Sequence, residues 1–172
     1  MQYGKTPPSC STRSKTSSGG TPSIQLLRFE SNSVYRTKRD IKIRTLSGKA
    51  GWQDTVLALE RQKSKGNLQW NSLLAKAVEE YMAVSLQDDS VNPFDVIRTF
   101  CAYEGNISFN VNESDAEQDV VELVSAMVVG DGDEKKGSRT AIFHPLFREF
   151  ACAVRRTGNR NIVHTIYAQS VT

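Results

Sequence analysis

The sequence has no run of apolar residues approaching the roughly 20 needed to span a bilayer, which rules out an ordinary membrane-crossing helix. Its start offers Gly, Pro, Ser, Thr and Lys where a signal peptide would have an apolar stretch, so export by the usual route is not expected. The reading is a cytoplasmic protein, not a secreted one. Cysteine is scarce as well: Cys10, Cys101 and Cys152 are too few and too far apart for a disulfide framework or a zinc site built on close Cys pairs. Cys101 and Cys152 have apolar neighbours and read as small core residues, whereas Cys10 lies in a polar tract. Histidine occurs twice, at His144 and His164, with no Cys or acid at metal-ligand spacing from either. No cofactor is expected.

What remains is a chain of 172 residues with 38% hydrophobic and 24% charged residues, enough for one core and too short for two large domains. Its net charge of +3 conceals an asymmetry. Residues 1–50 hold ten Lys and Arg against Glu30 and Asp40, or +8, and the remainder carries -5. The division predicts a basic extended arm over 1–50, disordered unless bound, on an acidic domain over 51–172. The Ser, Thr, Pro and Gly of the first 22 residues cannot bury enough apolar surface to offset about 1–2 kcal/mol of backbone ordering per residue. The candidate partner-binding residues of this arm are Arg13, Lys15, Arg28, Arg36, Lys38, Arg39, Lys42 and Arg44. Polyanions are their natural counterparts: acidic protein surfaces, nucleic acid or the protein's own acidic body. Ile41, Lys42, Ile43 and Arg44 alternate as a strand would, laid either on the domain or on a partner. Phe29 and Tyr35 form no repeated aromatic pattern of the kind that stacks RNA bases.

In the second region, Val56, Leu57 and Leu59 predict a helix over 54–65. Trp70-Asn71-Ser72 offers a cap for a second helix, whose apolar residues run from Leu73 to Met82, and Asn92-Pro93 opens a short third. Residues 106–111 alternate as a half-buried strand, and Glu113-Ser114-Asp115 reads as the cap of a helix carrying Val120 to Val128. Residues 150–156 and 161–168 flank Thr157-Gly158-Asn159-Arg160 as a hairpin. Asp131, Asp133 and Glu134 begin like a calcium loop. Lys135 and Lys136 follow, with no closing acid at the twelfth position, so a solvated turn is the expectation. Gly130 and Gly132 lack the lysine and serine of a phosphate-binding loop. His144 reads as a turn residue, and His164 as a solvated or hydrogen-bonded imidazole on the strand face away from its apolar neighbours.

Several segments, in order, resemble the CAP superfamily, the cysteine-rich secretory and pathogenesis-related fold. Leu68 to Ala77 is similar to the pattern L-x-W-(S/N)-x-x-L-A-K-A. Glu104-Gly105-Asn106-Ile107 resembles G-E-N-I with the first two residues exchanged. Val129 to Gly132, Gly137-Ser138-Arg139, Ile142-Phe143 and Pro145 resemble D-D-G-x-x-x-R-G-H-R-x-x-I-F-N-P. The resemblance spans about Trp52 to Ala168. It implies an α/β fold, a three-layer α-β-α sandwich of CAP type, with a cleft that usually presents two His and two acids to a divalent metal. That set is depleted here: Ser138 stands at one histidine position, no His occurs between Tyr81 and Ser90, and Glu104 is the acid that remains. Tyr81, Glu104 and Ser138 would mark a vestigial cleft.

The expected function is therefore non-catalytic: a scaffold held by its basic arm in a large intracellular assembly. An axonemal or other microtubule-associated lattice is one such assembly, since tubulin is strongly acidic. The alternatives are an RNA-binding ribonucleoprotein component, such as one of the mitochondrial ribosome, and a lipid- or sterol-binding protein. A metal-dependent enzyme ranks last.

Overall fold

A computed structural model describes residues 28–37, 40–115 and 118–172. The first elements are three short strands, β1 (Arg28–Ser31), β2 (Val34–Arg36) and β3 (Lys42–Arg44), which form an antiparallel meander in that order. Next come α1 (Gly48–Arg61), β4 (Gln69–Trp70), α2 (Ser72–Val84) and α3 (Pro93–Phe100). They are followed by β5 (Tyr103–Asp115), α4 (Val120–Val129), α5 (Gly137–Ile142), β6 (Glu149–Thr157) and β7 (Arg160–Val171). The second sheet has the order β4-β6-β7-β5, antiparallel except for the β4–β6 pair.

Helices cover both faces of this sheet, giving the α/β fold three layers. Ala151, Ile166 and Ala168 share one face, since Ala151 pairs with Ile166 and Glu149 with Ala168. They bury Leu74, Ala77 and Val78 of α2 and Ile97 of α3. Leu74, Val78, Ile97 and Ile166 lose nearly all contact with water, and each such side chain contributes about 1.5–3 kcal/mol. On the opposite face Tyr167 and Phe150 meet Ala141 and Ile142 of α5, with Phe147.

Local chemistry sets the helix starts. The Asn71 carboxamide oxygen accepts the N–H groups of Leu73 (2.9 Å) and Leu74 (3.1 Å), and its nitrogen donates to Glu149 at the start of β6. Asn92 accepts the N–H of Phe94, and Pro93 occupies the first turn, where its missing donor is harmless. Two expectations shift. Helix α1 begins at Gly48, six residues before Asp54. Glu113, Ser114 and Asp115 do not cap α4 but end β5, which runs for 13 residues; Asp119 is the cap, in a reciprocal capping box with Glu122. Gly130 ends α4 in the left-handed conformation at φ +62°, where an added Cβ would lie 2.9 Å from Lys136 Cδ.

Within the region expected as an extended arm, residues 28–37 and 40–50 carry the three strands and the start of α1. Tyr35 is 2% exposed, and its ring centroid lies 5.2 Å from that of Trp52 in α1 and 5.7 Å from that of Phe29. Val129 of α4 and Ile43 complete this cluster. The meander is thus held by an aromatic contact with the domain, which its local composition does not announce.

Candidate functional site

Where β3 faces β5 lies a groove of about 1000 Å³, closed on one side by α4 and at one end by the Gly130–Asp133 turn. Both strands are sheet edges there. Among the described residues β3 pairs only with β2, and β5 only with β7. The groove follows β5 from Phe109 to Asp115 and β3 from Lys42 onward to Leu46.

Alternate residues of β5 direct Ser108, Asn110, Asn112 and Ser114 to the α5 face, and three of these line the groove. Asn112 Oδ1 accepts the Ser138 hydroxyl at 2.9 Å, whereas its Nδ2 is buried without a protein partner among the described residues. The same is true of Ser114 Oγ, Thr45 Oγ1 and Trp52 Nε1, all on the groove. The residues Ser114, Thr45 and Trp52 are only 7%, 4% and 5% exposed. Four polar atoms of three side-chain chemistries are therefore sealed beneath the groove wall without a partner among the described residues. Tyr35 also lines this space; burial, aided by the charges of Glu122 and Asp131, pushes its phenol up to about 12.

The acids at the end of the groove have structural work. The Asp131 carboxylate accepts the backbone N–H of Leu46 (3.0 Å), that of Ser47 (2.7 Å) and the Ser47 hydroxyl. It thereby fixes the start of α1 from 84 residues away. Asp133 accepts the N–H groups of Lys135 and Gly137, within a turn whose Gly132, Glu134 and Lys135 are exposed, in keeping with the solvated turn expected. Glu113 receives Arg160. Among the described residues no cluster of three or more His, Cys, Asp or Glu has the geometry to hold a metal.

The residues expected to mark a vestigial cleft are not brought together. Tyr81, on α2, packs on the Phe109 and His164 rings at 5.0 and 5.6 Å, on the α2 face of the sheet. Ser138 is buried on the opposite face, where it bonds Asn112. Glu104 is exposed at the first bulge of β5 beside Gly105, whose φ of +74° only glycine adopts easily.

His164 departs from expectation in another way. It shares the α2-facing side with Ile166, is 4% exposed, and leaves both ring nitrogens without a partner among the described residues. Its neighbours Val163 and Thr165 point to the other face, as the alternation requires, but β7 is a central strand with both faces covered, so the ring is buried instead of solvated. Burial, reinforced by the Arg155 guanidinium, holds its pKa below the usual value. His144 is the turn residue expected: its Nδ1 accepts the Leu146 N–H at 3.3 Å. Cys101 is buried, and desolvation, then Glu149, raises its thiol pKa. Cys152 is half-buried on β6.

Of the eight basic candidates, Arg13, Lys15, Lys38 and Arg39 lie outside the described residues. Arg36 pairs with Glu30 and Asp40, and Lys42 with Glu30, within the meander. Arg36 holds the Glu30 carboxyl below its usual pKa. Arg28 and Arg44 are exposed and have no ion pair among the described residues. The sequence pattern missed Thr45, Trp52 and Ser114. The one available signal was the polar period of two from Ser108 to Ser114.

No family model matches the chain, and no curated protein matches it. Among solved structures, an outer surface protein from Borrelia burgdorferi is similar at a TM-score of 0.48 and 12% identity, over 70% of this chain and 93% of that one. A cysteine-rich secretory protein from Staphylococcus aureus is similar at a TM-score of 0.46 and 14% identity. That match covers 70% of this chain and 38% of the staphylococcal one. Among the described residues no helix is long and apolar enough to cross a membrane.

Proposed function

We propose that this chain is a non-catalytic, CAP-like module that works by binding, as a scaffold within a larger assembly, through acidic protein surfaces. The observation that carries this reading is the separation of its reactive side chains. Tyr81 and Ser138 lie on opposite faces of the sheet, Glu104 stands at a strand end, and the two histidines occupy unrelated environments. The segments that resemble the family sit at structural junctions: Asn71 caps α2, Gly105 makes the bulge that opens β5, and Gly130 ends α4.

Arg28 and Arg44, with the basic residues preceding and joining the strands, supply the charge for an acidic partner. A microtubule lattice is the concrete proposal for that partner, with the cytoplasm or axoneme as its location. The RNA alternative is disfavoured by the same packing that folds the meander, because Phe29 and Tyr35 pack edge-on with Trp52 instead of standing free beside the cations. The lipid alternative calls for an apolar cavity, whereas this groove has Asn110, Asn112 and Ser114 along one wall. Co-sedimentation of the full chain with microtubules tests the proposal. Binding at low salt that is lost as salt rises is expected. A chain left in the supernatant, while the same extract yields another partner, refutes the microtubule assignment.

A further inference from the structure

Resting on the reading of this chain as a binding module, we propose that the groove between β3 and β5 receives an extended strand of a partner protein, with a carboxylate facing Arg44. Two sheet edges border one space, and among the described residues neither has a ladder partner on that side. An open edge displays a row of N–H and C=O groups that another backbone completes. The β5 edge of seven residues, Phe109 to Asp115, extends about 23 Å at 3.3 Å per residue and takes a peptide of that length.

The side chains agree with the edges. The unpaired atoms of Trp52, Asn112, Thr45 and Ser114 are sealed from solvent beneath the groove, so an occupant meets the backbone edges and the side chains that reach the surface. Apolar surface stands beside them: Leu46 and Val111 are 83% and 51% exposed on the groove. A strand of mixed polarity matches both. Arg44 is the cation on this wall with no ion pair among the described residues, Lys42 being held by Glu30 and Arg160 by Glu113, which is why the occupant carries an acid there. The acids at the far end already accept N–H groups, so they do not recruit a metal in its place.

Panning a phage-displayed library of random octapeptides against the full chain tests this. Enrichment of peptides with alternating polarity and one Asp or Glu is expected, with hydrogen-exchange protection gained at residues 42–45 and 109–115. Leu46→Ser and Val111→Ser truncate side chains that are 83% and 51% exposed on the groove, so both variants fold with little change in melting temperature. Each is expected to weaken an enriched peptide about five- to twentyfold. Arg44→Glu should shift the enriched acid to Lys or Arg. No enrichment, affinity unchanged in both the Leu46→Ser and Val111→Ser variants, or protection elsewhere overturns the proposal. So does a concentration-dependent dimer of the free chain protected at 109–115, which would make a second copy the occupant. Cation-driven co-sedimentation does not depend on Leu46 or Val111, so failure of either proposal leaves the other measurable.

Discussion

His164→Phe should stabilise the protein and flatten its response to acid. The imidazole is 4% exposed, packs against the Tyr81 ring at 5.6 Å and the Phe109 ring at 5.7 Å, and satisfies neither nitrogen among the described residues. Leaving a buried polar group unpaired costs about 1–3 kcal/mol, and phenylalanine keeps the ring contacts without the nitrogens. Part of that gain is offset by the slightly larger ring, so a net stabilisation of about 1–2 kcal/mol at pH 7 is expected. The pH dependence follows from the same burial. With its folded-state pKa depressed, chiefly by desolvation and then by Arg155, the ring stays neutral in the native state while the unfolded chain takes up a proton below about 6.5. Stability is therefore intact above that value. It falls with acidification at a limiting slope of about 1.4 kcal/mol per pH unit, until the native ring itself protonates. Urea denaturation from pH 8 to pH 5 of wild type and variant measures the difference, in which the shared carboxylate contributions cancel. A variant less stable at pH 7, with the wild-type acid slope retained, would show that the ring is hydrogen-bonded or charged in solution and refute the reasoning.

Asp131→Ala removes the acceptor of two backbone N–H groups and one hydroxyl at the start of α1, and should destabilise by about 2–3 kcal/mol in chemical denaturation. Loss of only a few tenths would mean that water replaces it there. Gly130→Ala places a Cβ in the left-handed conformation against Lys136, and a loss of about 1–2 kcal/mol is expected in the same assay. Tyr35, with its phenol at about 12, should be a late-ionising tyrosine in ultraviolet titration alongside Tyr167, which burial also raises, and is identified by its absence in Tyr35→Phe. Because the unfolded phenol ionises near 10, its contribution to stability is lost as pH rises from about 10 to 12.

The elements legible in the sequence are those whose signals are local. Asn71 and Asn92 announce α2 and α3 because a cap acts on the next two or three residues. The β6–β7 hairpin is read from Gly158-Asn159 because a two-residue turn fixes its own register. Where two local readings compete, tertiary pairing decides. Glu113-Ser114-Asp115 has the composition of a helix cap, but β7 offers partners as far as Arg160, opposite Asp115, and the strand continues. The candidate site is less legible still. Its walls come from Lys42 to Leu46 and from Phe109 to Asp115, more than 60 residues apart, and nothing in either segment encodes the approach.

The charge asymmetry of the sequence has a similar physical limit. A tally of +8 over the first 50 residues treats each cation as available, yet both acids of that stretch lie inside the meander. Folding brings Glu30 to Arg36 and Lys42, and Asp40 to Arg36, so two of the four described candidate cations face protein carboxylates instead of a partner. These pairs are exposed and add little to stability. Their effect is on recognition, because a partner carboxylate must compete with one already in place. What the fold leaves unneutralised among the described candidates is Arg28 on an outer strand and Arg44 on the groove. Electrostatic attraction and strand recognition therefore meet at a single described residue, Arg44, and the groove is the place where charge acquires geometric specificity.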